Sequence, residues 1–258
     1  YQTGSYTWVG FTNFAKFIKD MTGDFALISA TKNSFVLYAV SIFILLPVQL
    51  LSSFFVYKKI PLSGLFKVIL FLPSIVSSIV MTIMFKYFVD KALPEILKMF
   101  GATNIPIFLF DPATAFKTII VFIVWSGFGG GMILFTGAMS RIPDQIIESG
   151  KLEGLSLIKE FWYITLPMTF PTIAVFIVVG VAGIFTNQAF LYNFFGAGAS
   201  QDMQTYGYYL FVKVIGNEAT LSDYPYAAAG GLLFTLLVAP FTLVVRTLLD
   251  KLVPAIEF

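Results

Sequence analysis

The sequence predicts an all-α fold: a polytopic bundle of about five transmembrane helices with a polar elbow lodged between two of them. Three observations lead there. Hydrophobic residues make up 58% of the 258 and charged residues 12%, with a mean hydropathy of +0.87, the composition of an integral membrane protein. Apolar stretches near residues 33–57, 65–89, 116–139, 167–190 and 226–249 each match a bilayer crossing, which takes about 20 residues at roughly 1.5 Å per residue. Between the third and the fourth lies RIPDQIIESGKLEGLSLIKEFWYITLPMTFP, Arg141 to Pro171, dense in charge where a plain turn needs only a few residues.

Taken in order, the chain opens at Tyr1 with polar, aromatic YQTGSYTWVGFTNFAKFIKD. That start lacks the pattern of a signal peptide, and the missing methionine marks a trimmed product or a fragment. Residues 1–32 are expected to form an N-terminal segment ahead of the spans, and 33–258 the transmembrane domain with the polar loop at 141–167. Pro47, Pro73 and Pro240 fall inside the spans, where proline kinks a helix. The run Gly127, Gly129, Gly130, Gly131 either unwinds the third span or lets helices pack closely, and packing is the simpler reading. In the elbow, Pro143 suits a first helical position and Asp144 the positive end of the helix dipole, while Ile142, Ile146 and Ile147 recur at helical spacing. A short helix over 143–152 follows. Gly154 then stops it in a left-handed conformation, Ser156 caps a second helix, and Pro167 marks where the fourth span begins.

Several chemistries are excluded. With no histidine and no cysteine, the chain has neither the commonest neutral-pH base and metal ligand nor any thiol. No phosphate loop is present, since Gly150-Lys151 is followed by Leu152. Catalysis, a resident cofactor and a metal are therefore not expected, and ATP with its magnesium would sit on another chain. A net charge of +2 is too mild for a nucleic-acid partner. The Lys/Arg bias does not orient the spans: Lys58, Lys59, Arg141, Lys151, Lys159, Arg246 and Lys251 fall on one side, and Lys16, Lys19, Lys32, Lys86, Lys91, Lys98 and Lys213 on the other.

Polar side chains inside the spans are candidates for a solute path, because leaving them against lipid is costly. They are Gln49, Ser77, Ser78, Trp125, Ser126, Asn187, Gln188, Tyr192 and Asn193. Asn187 with Gln188 is the leading pair, read as two amides on the outer part of one helix with Phe190, Tyr192 and Phe195 supplying ring faces. For each, hydrogen bonding between helices is the competing role.

The run Glu148-Ser149-Gly150-Lys151-Leu152-Glu153-Gly154, followed by Ile164-Thr165-Leu166-Pro167, resembles the EAA signature of ABC importer permeases, E-A-A-x-x-x-G and then I-x-L-P. Ser149 and Gly150 replace the two alanines, Glu153 the usual Asp, and Leu155 the small residue after the glycine. Beyond the loop, WVGFTNFAKFIKD, LFKVILFLPSIVSSIVMTIMFKYFVD, TAFKTIIVFIVWSGFGGGMILFTGAMSRIPDQIIESG, GIFTNQAFLYNFFGAGA and YPYAAAGGLLFTLLVAPFTLVVR resemble segments of the maltose-type carbohydrate-uptake permeases, of the larger-subunit type. The resemblance implies a first helix ahead of this chain and a second permease completing the pore. It also places the 141–167 loop in the cytoplasm and the 1–32 segment on the extracytoplasmic side, and implies an ATPase dimer whose grooves take the elbows and an extracytoplasmic sugar-binding protein, all at a bacterial or archaeal cell membrane. It assigns Glu148, Ser149, Gly150, Glu153, Gly154, Leu166 and Pro167 to coupling. Glu148 would bond a basic ATPase residue, and Gly154 would allow a bend where a larger side chain clashes. A non-sugar solute remains open because the signature is shared across branches. An ion-coupled transporter is disfavoured because the spans lack ionisable groups near their centres.

Overall fold

The structure, a computed structural model, describes residues 7–216 and 220–252. Among these the chain is helical and has no strands. Helix α1 (Thr12–Gly23) leads into α2 (Phe25–Tyr57), α3 (Ser63–Ile75) and α4 (Ser78–Met99). Then come α5 (Ala115–Gly127), α6 (Met132–Met139) and the elbow helix α7 (Asp144–Leu152). The long α8 (Leu157–Gly183), the short α9 (Leu191–Phe195), α10 (Tyr206–Ile215) and α11 (Asp223–Leu252) complete the bundle.

Three helices, α2, α8 and α11, are individually long and apolar enough to cross a membrane; α3 with α4, and α5 with α6, qualify only as bent pairs. The predicted boundary at residue 33 falls inside α2, which starts at Phe25 because Asp24 caps it, accepting a hydrogen bond from the Ala26 N–H at 2.8 Å. The described part of the expected 1–32 segment is thus α1 plus the first turns of α2; residues 1–6 lie outside the described ones. The predicted 65–89 span is two helices meeting at 104°. Pro73 withholds a backbone donor, and Val76 and Ser77 are extended with ψ of 141° and 134°.

The third predicted span bends by 44° at the glycine run. The run both breaks the helix and admits neighbours: a Cβ on Gly129 would lie 2.4 Å from the Leu70 carbonyl oxygen, and one on Gly127 2.9 Å from Leu45. Gln49, buried in α2, donates to the Gly127 carbonyl at 2.6 Å, alongside the Gly130 N–H at 3.1 Å, and so ties α2 to the break. Pro240 lies inside an unbroken α11.

Helix α1 docks at the end of the bundle away from the elbow. Phe17 is fully buried against Tyr206, Tyr226 and Phe234, in contact with Gly230, where a Cβ would come within 2.5 Å of the ring. Tyr226 donates to the Asp20 carboxylate at 2.8 Å. The Asn33 amide bonds the carbonyls of Asp202 and Gln204, and the Tyr206 N–H donates to Ser34, tying α2 to the start of α10. Behind α9, burial holds the Tyr208 phenol above its usual range. Its hydroxyl donates to the Gly196 carbonyl at 2.7 Å while accepting from the Ala199 N–H.

Candidate functional site

The elbow forms from its sequence in a way that fixes one face and frees the other. Helix α7 begins at Asp144, with Pro143 just outside it as the N-cap, one residue later than the spacing predicts. It ends in a reciprocal pair of bonds, Leu155 N–H to the Gly150 carbonyl and Gly154 N–H to the Lys151 carbonyl, each 3.0 Å, the glycine-terminated stop that satisfies a helix's last carbonyls. Gly154 has φ of +77° with open space where a Cβ would stand. The expected clash is therefore absent, and the need for glycine is purely conformational. Ser156 occupies the N-cap of α8, but its hydroxyl makes no capping bond.

The inner face is held by apolar contact. Ile142, Ile147 and Ile164 form a buried cluster with Tyr57, Leu155 and Met168 around them. Gly150 is buried at the crossing, where a Cβ would approach Ile164 and Leu155 to 2.8 Å. The outer face carries Glu148, Ser149 and Glu153, all exposed, and Glu148 has no ion-pair partner among the described residues. Sequence reasoning missed that apolar side chains stand beside them: Leu152 is 90% and Ile158 73% exposed. Leu166 and Pro167 lie within α8, just past a wide π turn at Phe161–Thr165.

The polar candidates separate into three places. Asn187 and Gln188 are not on a helix: α8 stops at Gly183, and the two amides occupy the break before α9. Asn187 folds that break, its Oδ1 accepting from the Ala189 N–H at 2.7 Å, beside Ala189 and Phe190 with φ of 52° and 60°. Its carbonyl accepts from Thr205. Asn187 also borders a cavity of about 280 Å³ between α2 and α8, with Ser34, Tyr38, Ser41 and Thr186. The positions 34, 38 and 41 share one helical face, a signal the sequence contains.

Farther along, the Asn193 amide donates to Ser78 at 3.4 Å, and Ser77, Tyr192 and Asn193 are exposed. Trp125, 42% exposed, stacks on Phe85, which also meets Phe194 of α9. Gln49 stands apart, and its amide is spent on Gly127 as described. Bonding between elements is the contact that the structure shows for it.

An all-helical bundle with broken spans and one polar elbow defines the class of a membrane transport permease. Residues 25–258 match the family described as binding-protein-dependent transport system inner membrane component, and the chain belongs to that family. It is 31% identical over 171 residues to the lactose transport system permease protein LacF of Rhizobium radiobacter, covering 64% of this chain and 57% of that one. Against the maltose/maltodextrin permease MalF of Escherichia coli K12 it is 29% identical over 126 residues, 48% of this chain and 24% of the relative. The chain thus spans little more than half of the lactose relative, and a quarter of the maltose one. A crystal structure described as a bacterial ABC transporter importing the acidic polysaccharide alginate superposes with a TM-score of 0.82 at 19% identity, covering 97% of this chain and 86% of that one. A second, of an alginate ABC transporter in complex with an alginate pentasaccharide-bound periplasmic protein, gives 0.75 at 20% identity over 94% and 82%. These two show the fold.

Proposed function

We propose that this chain is the permease subunit of an ATP-driven importer that carries a sugar or oligosaccharide, delivered by a solute-binding protein, across a bacterial or archaeal inner membrane. The elbow carries the reading. A helix of nine residues is fastened to the bundle on one face, ends at a left-handed glycine, and offers Glu148 and Leu152 outward, with Ile158 exposed in the first turn of α8. Such a surface suits a groove on a soluble partner, where Glu148 would meet a basic group and the leucine and isoleucine would be buried. Rigid-body motion of an ATPase chain, which would hold ATP and magnesium, then reaches α8 directly, since α7 and α8 join at Gly154. A second permease would complete the pore against the exposed apolar faces of this one.

The substrate class rests on the relatives, which act on lactose and maltodextrin by name. The chemistry of the two polar stations supports it. Hydroxyls and an amide around the α2–α8 cavity, the bonded pair Ser78 and Asn193, and Trp125 stacked on Phe85 of α4 offer the mix of hydrogen bonds and ring faces that a carbohydrate takes. The test is to copurify the intact assembly and screen neutral and acidic glycans for binding-protein-stimulated ATP hydrolysis. A response confined to saccharides is expected; stimulation only by an amino acid, peptide or inorganic ion would overturn the assignment of substrate class.

A further inference from the structure

The elbow is joined by the chain to α6 and α8, and α2, which has no covalent link to it, meets this region through apolar packing of Tyr57 and Phe54 and through one ion pair. Lys58, just past the end of α2, pairs with Glu160 at the root of α8, and their side chains are only 13% and 4% exposed. Among the described residues it is the one ion pair that joins separate elements. Its surroundings hold it in place: the Lys58 ammonium lies 5.2 Å from the Tyr57 ring centroid and 5.7 Å from that of Phe54. Phe54 in turn meets Phe161, the residue after Glu160, at 5.1 Å. A buried pair of this kind costs desolvation that apolar residues would not. Its retention fits a role in fixing geometry better than one in adding stability.

Helix α2 is 33 residues long, about 50 Å at the helical rise, and its far half supplies Ser34, Tyr38 and Ser41 to the cavity it shares with α8. A π turn at Ser41–Leu45 lies beside that cavity, and a second, Phe161–Thr165, follows Glu160 directly. Helices commonly bear such wide turns where they change shape in function. We infer that Lys58–Glu160 is a positioning contact that carries motion of the elbow into α2, so that both walls of the α2–α8 cavity move together when the partner ATPase moves.

This rests on the coupling reading above, and the experiment separates the two. The chain has no cysteine, so single reporters Ser41→Cys on α2 and Thr186→Cys beyond the end of α8 can be placed in the intact assembly with cysteine-free partners. Labelling by an impermeant maleimide is compared without nucleotide and after trapping with ATP, magnesium and orthovanadate. With the pair intact, both reporters change their labelling rate. In Lys58→Met and in Glu160→Gln the Thr186→Cys response persists while the Ser41→Cys response falls several-fold, and combining Lys58→Glu with Glu160→Lys restores it.

An undiminished Ser41→Cys response in both single variants overturns the inference, as does loss of both responses together in an assembled complex. Should the singles fail to assemble, Lys58→Met with Glu160→Met replaces the pair by apolar volume, which buried pairs tolerate. Failure of that double variant to assemble, or a normal Ser41→Cys response in it, shows a structural staple instead. Silence of both reporters with the pair intact sinks the coupling reading itself, and the inference with it.

Discussion

Gly150 and Gly154 stand four residues apart and serve different ends. At Gly150 the obstacle to a side chain is the terminal methyl groups of Ile164 and Leu155, which can rotate away. Gly150→Ala is therefore expected to leave uptake within about twofold while adding about 0.5–1 kcal/mol of helix stability, measured by uptake and by thermal unfolding of the assembly; Gly150→Leu forces the elbow off its seat and should lose uptake. At Gly154 the obstacle is φ of +77°. Gly154→Ala meets no atom there and still costs the left-handed penalty, about 1–2 kcal/mol, so its uptake should fall below that of Gly150→Ala. The reverse order would show that packing, not conformation, dictates the hinge. Gln49 belongs at this scale too. Gln49→Leu removes one of two donors to the Gly127 carbonyl and leaves the Gly130 N–H, and a loss of about 1 kcal/mol in thermal stability with unchanged sugar selectivity is expected; changed selectivity with unaltered stability would place Gln49 in the solute path.

The wide turns in the helices have a common cause. The π turns Ser41–Leu45, Phe88–Ala92 and Phe161–Thr165 are each followed by Leu-Pro, at Pro47, Pro94 and Pro167. A proline ring presses on the carbonyl four residues back and offers that carbonyl no donor, and a widened turn relieves both. A Leu-Pro pair therefore accompanies each wide turn, which hydropathy, locating spans by length, hides; the pair is not sufficient, since Leu72-Pro73 follows an ordinary helical turn in α3. Hydropathy also drew the second and third spans straight. It counts apolar residues and is blind to the extended Val76 and Ser77 or to the broken turn at Gly127. Close approach at that turn gives a direct check: Gly129→Val sets a branched side chain against the Leu70 carbonyl, and a loss of about 1–3 kcal/mol, the usual cost of overpacking, should appear in the unfolding of the purified assembly. Unchanged unfolding would mean that α3 and α5 do not meet as closely as described.

For the whole molecule, composition sufficed to read an all-α membrane bundle, and the Glu148 to Pro167 pattern sufficed to place the elbow. What resisted were contacts between segments far apart in the chain. Nothing local joins Lys58 to Glu160, or Asn193 to Ser78. The apolar run continues to residue 190 and so predicts a helix at Asn187-Gln188, whereas Asn187 bends its own backbone beyond a helix that stops at Gly183. Lacking a phosphate loop, the chain by itself should show no ATP hydrolysis above background, with turnover only after an ATPase partner is added; turnover by the purified chain alone would refute the division of labour.

The central claim is that the elbow passes work from an ATPase to the spans. Its most direct measurement is uptake by membrane vesicles bearing the assembly with Glu148→Lys or with Gly154→Leu, set beside the amount of inserted protein. Glu148 is exposed and Gly154 has open space around its Cα, so both variants should insert and remain in the membrane at normal levels. The account predicts that uptake is abolished in each. Normal uptake by both, at normal levels of inserted protein, would contradict it.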